Sequence, residues 1–207
     1  MDIVPELIAF AIVLLSLTVH EWAHAITADR LGDPTARVLG RVSFNPVVHI
    51  DPIGTILLPI IAIVSNFPIL GWAKPVPVHP GRLGHPKRDF MIVAAAGPAS
   101  KIALAVLAAT AFHAVGGVSS LTPGLLDPVT LLYTAVEINV LLAVFNMIPV
   151  PPLDGGNVLA GLLPDSMGAL LHGLRQYGFI ILYAMLFTGV LWNLVGPPFH
   201  FIRGLLL

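Results

Sequence analysis

Two histidines and a glutamate lie close together in the first apolar stretch of the chain, as His20, Glu21 and His24. Residues four apart share one face of a helix, so the two imidazoles can bind the same metal ion. The pattern HExxH is typical of zinc hydrolases, in which the glutamate acts as general base. Ionisable groups at membrane depth are costly and indicate a function. The pattern therefore predicts a zinc enzyme that hydrolyses peptide bonds within or beside a membrane.

A third metal ligand has to come from another part of the chain. Catalytic zinc usually has three protein ligands and one open position, and the chain contains no cysteine. Asp154 is the best placed carboxylate, because three prolines before it break the helix and two glycines after it free the backbone. We therefore predict His20, His24 and Asp154 as ligands of one Zn²⁺ and Glu21 as catalytic base. The same ligand types would also accept other divalent metals.

The composition indicates a membrane protein. The chain has 207 residues, of which 57% are hydrophobic and only 10% are charged, and its mean hydropathy is +0.91. A soluble domain usually carries about 25% charged residues. The net charge of −1 gives no reason to expect a nucleic acid as partner. We predict a multi-pass protein of the cell membrane with one domain over residues 1–207.

Four apolar stretches are long enough to cross a bilayer as helices, which takes about 20 residues each. They are residues 5–28, 89–115, 129–148 and 177–196. A shorter apolar run at 53–64 is bounded by prolines and predicts a re-entrant segment. Residues 35–44 have a period near two, which favours a small β hairpin near the cytoplasmic face. The predicted fold class is an all-α polytopic membrane protein with these two additions.

Basic residues predict the orientation of the chain. Seven of the ten lysines and arginines lie between residues 30 and 88, and none lies in the loop 116–128. Because basic loops stay on the cytoplasmic side, residues 30–88 and 149–176 are predicted to be cytoplasmic. The HExxH motif and Asp154 then lie in the same layer, toward the cytoplasmic side.

Five segments, in this order along the chain, resemble the site-2 protease family of intramembrane zinc metalloproteases. They are HEWAH at 20–24, FNPVVHIDPIGT at 44–55, GWAKPVPV at 71–78, AAAGPAS at 94–100 and FNMIPVPPLDGG at 145–156. The resemblance implies the metal ligands and base named above. It also implies that Asn146 binds the substrate backbone or the developing oxyanion. Substrates would be single-pass membrane proteins cut in signalling, and the chain would be a compact member without PDZ or CBS domains.

Two positions outside the metal site also carry predictions. His49 either lies in a loop beside the substrate or is a loop histidine whose hydrogen bonds are satisfied by backbone. Lys101 stands where the family usually has asparagine, and Glu137 is predicted to lie at a similar depth on the next span. A lone charge at that depth is costly, so we predict a buried Lys101–Glu137 ion pair. The alternative is that Lys101 extends along a tilted helix toward the membrane surface.

Two other functions stay open from the sequence. Buried charges and metal ligands also mark ion pathways, so the chain could be a metal-binding transporter. The nearly apolar outer halves of the spans count against that function. A catalytically silent relative that binds membrane proteins is the second alternative, and the intact Glu21 counts against it.

Overall fold

A computed structural model of the chain describes residues 4–65, 71–120, 127–164, 167 and 173–207. Regular structure in these ranges is helical. The α-helices are α1 (Val4–Arg30), α2 (Thr35–Val38), α3 (Leu58–Ser65), α4 (Pro86–Ala114), α5 (Pro128–Asn146), α6 (Asp154–Leu162), α7 (Gly178–Phe187) and α8 (Val190–Leu206). Shorter helical turns are at Pro46–His49, Pro52–Leu57, Pro80–Arg82, Gly117–Ser120 and Arg175–Tyr177.

Three of these helices are long and apolar enough to cross a membrane, namely α1, α4 and α5. They correspond to the first three predicted spans. Helix α4 is central and packs against α1, α5 and α6. Its buried face repeats every four residues, at Gly97, Lys101, Ala105 and Ala109, and small residues at most of these positions let neighbouring helices approach closely. The chain is therefore a multi-pass membrane protein, and the regular structure of its described residues is helical.

The predicted fourth span corresponds to two helices. The helical segments 175–187 and 190–206 meet at an angle of 79°. Gly189, between them, has φ +77°, a left-handed conformation that glycine adopts without strain. The described part of the chain thus has three uninterrupted spans, or four if the two bent helices together are counted as one further span. The short apolar segment Pro52–Ser65 is helical, and its re-entry into the membrane stays a prediction.

The predicted β hairpin at 35–44 is wrong. Residues 35–38 form the short helix α2, and no strand is present among residues 35–44. The Asp33 carboxylate accepts the N–H of Thr35 at 3.1 Å and so favours a turn at this point. Gly40, with φ +69°, ends the helix in a left-handed conformation, and Arg41 N–H donates to Ala36 O at 2.8 Å. These local hydrogen bonds outweigh the alternating apolar pattern.

The predicted Lys101–Glu137 ion pair is also wrong. Glu137 Oε1 lies 2.9 Å from Arg203 Nε on α8. Lys101 is fully buried, and its Nζ donates to Ser16 Oγ at 3.2 Å. Helix α5 buries Val136 against its neighbours, and consecutive helical residues are about 100° apart around the axis. Glu137 is therefore turned away from Lys101, toward α8.

We expect double-mutant cycles to separate these two pairs. Glu137→Gln combined with Arg203→Met should show a coupling energy of at least about 0.5 kcal/mol, because the two groups are in contact. Glu137→Gln combined with Lys101→Met should show a coupling energy near zero. The measurement is the free energy of unfolding in detergent. A zero coupling for the first pair would contradict the structural assignment.

Candidate metal centre and active site

Three predicted ligands from two helices converge at one point. His20 and His24 lie one turn apart on α1, and Asp154 is the first residue of α6. His20 Nε2 is 3.2 Å from Asp154 Oδ2, His24 Nε2 is 3.4 Å from Asp154 Oδ1, and the two Nε2 atoms are 3.0 Å apart. Ligand atoms around a tetrahedral zinc ion are about 3.3 Å apart. The spacing and the donor types therefore fit zinc.

The protonation of the donors also fits a metal. His24 Nδ1 is 2.7 Å from Val93 O. A carbonyl only accepts, so Nδ1 carries the proton and the lone pair of Nε2 is left for a metal, as is usual for metal-binding histidines. Asp154 Oδ2 is buried without a hydrogen-bond partner. An oxygen in that state is costly unless a cation binds it.

Gly97 makes room for both imidazoles, and the sequence reasoning missed it as a site residue. A β-carbon at this position on α4 would lie 2.5 Å from His20 Cε1 and 2.5 Å from His24 Cε1. Such a distance is far below van der Waals contact, so α4 can pass this close only with glycine here. The signal in the sequence was the run of small residues in AAAGPAS.

Two glycines bring Asp154 to the metal site by allowing close packing. A β-carbon at Gly155 would lie 2.3 Å from Met147 O, and one at Gly156 would lie 2.7 Å from Pro151 N. The start of α6 therefore packs directly against the turn that follows α5. The sequence predicted that these glycines free the backbone. The structure shows instead that they lie in a regular helix and that their missing side chains are what matters.

Glu21 lies beside the three ligands. It is 7% exposed, and its Oε2 accepts the N–H of Val76 at 3.1 Å. Val76 belongs to residues 71–79, a segment without helical structure that we call the 71–79 segment. Glu21 and the three ligands line one cavity of about 1030 Å³. The cavity walls are mostly apolar and come from α1, α4, α5, α6, α7, α8 and the 71–79 segment, together with residues 54, 55 and 59.

The two remaining candidate residues are Asn146 and His49. Asn146, at the end of α5, lines the same cavity, and its Nδ2 donates to Leu142 O at 2.7 Å. Its amide is thus held at the cavity wall, within the predicted site. His49 is buried, with Nε2 2.8 Å from Ser43 O. That contact agrees with the alternative in which backbone satisfies this histidine.

Comparisons with known proteins bear on the family of the chain. Residues 124–189, which include α5, α6 and α7, match peptidase family M50. The chain is 34% identical over 204 residues to "Putative zinc metalloprotease YwhC" of Bacillus subtilis, covering 94% of this chain and 88% of that protein. The chain belongs to peptidase family M50, the site-2 protease family.

A second M50 relative is more distant. "Putative zinc metalloprotease Rip2" of Mycolicibacterium smegmatis is 32% identical over 187 residues, covering 86% of this chain and 66% of that protein. No solved structure matches the M50 chain. The predicted family is therefore confirmed by the comparisons, and the roles of individual residues in this M50 chain rest on its own geometry.

Proposed function

We propose that this M50 chain is a zinc-dependent intramembrane endopeptidase with a single metalloprotease domain over residues 1–207. It would hydrolyse peptide bonds in or near the transmembrane segments of membrane proteins. One observation carries the proposal: two histidines, an aspartate and a glutamate line one apolar cavity beside membrane-spanning helices. An apolar cavity with a few convergent polar groups is the usual form of an active site.

The four polar residues have distinct roles in this proposal. His20, His24 and Asp154 would hold the zinc ion. A bound zinc ion acts as a Lewis acid that lowers the pKa of a water molecule and polarises a carbonyl group. Glu21 takes the proton of the attacking water and later delivers it to the amine nitrogen as the C–N bond breaks. Since the Val76 N–H holds Oε2, we assign the proton to Oε1.

Asn146 would stabilise the oxygen of the scissile carbonyl. Its amide has two N–H donors, of which one reaches Leu142 O. A neutral amide donor at the cavity wall is a suitable oxyanion stabiliser. The sequence segment that contains it, 145–156, also supplies the ligand Asp154. The end of α5 and the start of α6, joined by this segment, would therefore bind the substrate carbonyl and the metal.

The cavity supports apolar, membrane-embedded substrates. Its walls include Leu17, Phe145, Leu182 and Val195, which match the side chains of a transmembrane segment. We propose single-pass membrane proteins as substrates and regulated intramembrane proteolysis as the process. We propose that the site lies toward the cytoplasmic side, which the basic residues between 30 and 88 support.

We expect the purified protein to cut transmembrane polypeptides. A panel of single-pass segments is incubated with the full chain in detergent, and the products are identified by mass spectrometry. Cuts should fall within or beside the hydrophobic segment. A chelator should stop the reaction and added zinc should restore it, because the ligands hold the metal reversibly.

The alternatives give different results. A zinc-containing protein that cuts no member of the panel would contradict the proposal as stated and favour a silent relative. Metal uptake into sealed vesicles that contain the protein, without cleavage, would favour a transporter. Cleavage that persists in chelator would contradict the role of the metal.

A further inference from the structure

Arg41 is a buried cation that the proposed reaction does not yet use. It is 5% exposed and lies between α2 and the turn Pro46–His49. Its Nη1 donates to Pro75 O at 3.2 Å, and its Nη2 donates to Lys74 O at 2.5 Å. Hydrogen bonds from a charged donor are about twice as strong as neutral ones. One guanidinium thus holds two consecutive carbonyls of the 71–79 segment.

His49 completes this attachment. Its backbone carbonyl accepts the N–H of Lys74 at 2.9 Å. Its Nε2 is 2.8 Å from Ser43 O, so Nε2 carries the proton, and Nδ1 can accept from Arg41 Nη2 at 3.4 Å. Burial lowers the pKa of His49 and the Arg41 charge lowers it further, against a raising contribution from Ser43. A neutral imidazole is the form that can accept this bond.

The anchored residues come directly before the group that touches Glu21. Val76 follows Pro75 in the chain, and its N–H donates to Glu21 Oε2. Pro75 and Pro77 on either side restrict the backbone. The position of the Val76 N–H therefore depends on where the carbonyls of residues 74 and 75 are held. At its far end the segment is held by the His79 N–H, which donates to Asp33 Oδ2 at 2.6 Å.

We propose that Arg41 is a positioning residue for the reaction: by holding Lys74 and Pro75 it keeps the Val76 N–H on Glu21 and so orients the carboxylate. The inference rests on the proposed function, because it assigns Glu21 as the base. Arg41 contacts none of the metal ligands and does not itself line the cavity; it reaches the cavity wall only through the carbonyl of Pro75. Its loss should therefore change the turnover number and leave zinc binding intact.

The test compares three variants of the full chain in detergent. Arg41→Met removes the donors, Arg41→Lys keeps the charge but cannot fork to two carbonyls, and Arg37→Met is the matched control. Arg37 is a neighbouring arginine whose guanidinium is largely exposed and pairs with Asp29. The readouts are amide hydrogen exchange, bound zinc, and kcat and KM for a substrate cut by the wild type.

We expect the amides of Lys74 and Val76 to exchange about tenfold faster or more in Arg41→Met, because the segment opens locally. We expect kcat to fall about 10- to 100-fold, as for a misplaced catalytic group. The KM should change by less than about threefold, since substrate binding is not the interaction that is lost. Arg41→Lys should show smaller changes in amide exchange and in kcat than Arg41→Met, and Arg37→Met should behave as wild type.

Three results would overturn the inference. One is unchanged exchange at residues 74 and 76 in Arg41→Met. Another is an equal loss of turnover in Arg37→Met. If Arg41→Met does not fold, the test uses Arg41→Lys and the wild type. The third result concerns the wild type: amides of Lys74 and Val76 that exchange as fast as the amide of Ala73 would also overturn the inference. A wild type that cuts nothing contradicts the proposed function instead, and the exchange comparison then tests the attachment by itself.

Discussion

Replacing Glu21 by glutamine is expected to remove nearly all cleavage and to leave zinc bound. Glutamine has the same shape as glutamate, and its amide oxygen can still accept the Val76 N–H that now reaches Oε2. It cannot take a proton from water at neutral pH. General acid–base catalysis contributes about 10²- to 10⁴-fold, so the rate should fall by that factor. The measurement is the initial rate on a cut substrate, together with zinc content by elemental analysis.

A carboxylate on the same helix provides the matched control for Glu21. Asp29 lies two turns farther along α1, where it pairs with the exposed Arg37. Asp29→Asn should leave both the rate and the zinc content close to those of the wild type. Undiminished cleavage in Glu21→Gln would refute the assignment of Glu21 as base. Loss of zinc in that variant would mean that Glu21 helps to hold the metal.

Replacing Gly97 by alanine is expected to destroy the metal site. The new β-carbon would lie 2.5 Å from the rings of His20 and His24, which are buried between helices and cannot both move aside. Alanine favours a helix by about 1 kcal/mol over glycine, so helix propensity alone predicts the opposite sign. Substitution of residues that only orient the metal ligands lowers metal affinity by about 10- to 100-fold. We expect at least that loss, with no cleavage at zinc concentrations that saturate the wild type.

A second helical glycine separates this clash from the general effect of alanine. Gly204 lies in α8, and a β-carbon there would meet no atom within 4 Å apart from its chain neighbours and the backbone of its own helix. Gly204→Ala should therefore bind zinc and cut substrate like the wild type. Zinc titration of both variants after chelation measures the difference. A Gly97→Ala protein with wild-type zinc affinity would show that α4 does not approach the ligands as closely as the structure indicates.

Much of the candidate site follows from short-range rules. His20 and His24 share a face because they are four residues apart on a helix, and that holds wherever the helix lies. Asp154 was recognisable because prolines and glycines around it predict a sharp change of direction. The three long apolar helices follow from the bilayer thickness that each has to cross. These predictions need no knowledge of which helices are neighbours.

Both wrong predictions concern places where interactions compete, and the sequence pattern alone does not say which interaction prevails. At 35–44 an alternating apolar pattern competed with the Asp33–Thr35 hydrogen bond and the left-handed Gly40, and the local bonds prevailed. The depth of Glu137 was predicted to match that of Lys101, but depth does not say which way a helix is turned. Arg203, distant in sequence, is the partner that the packing of α8 supplies.

The sequence by itself determined the chemistry available to this protein: two imidazoles, two carboxylates and an amide at membrane depth. It did so because residue types and helical spacing decide which groups can share a face. Only the tertiary structure decided how close the helices come and what holds the polar groups in place. Gly97 admits both imidazoles, and Arg41 holds the backbone that meets Glu21. Such contacts join residues far apart in the chain, and packing between helices selects them.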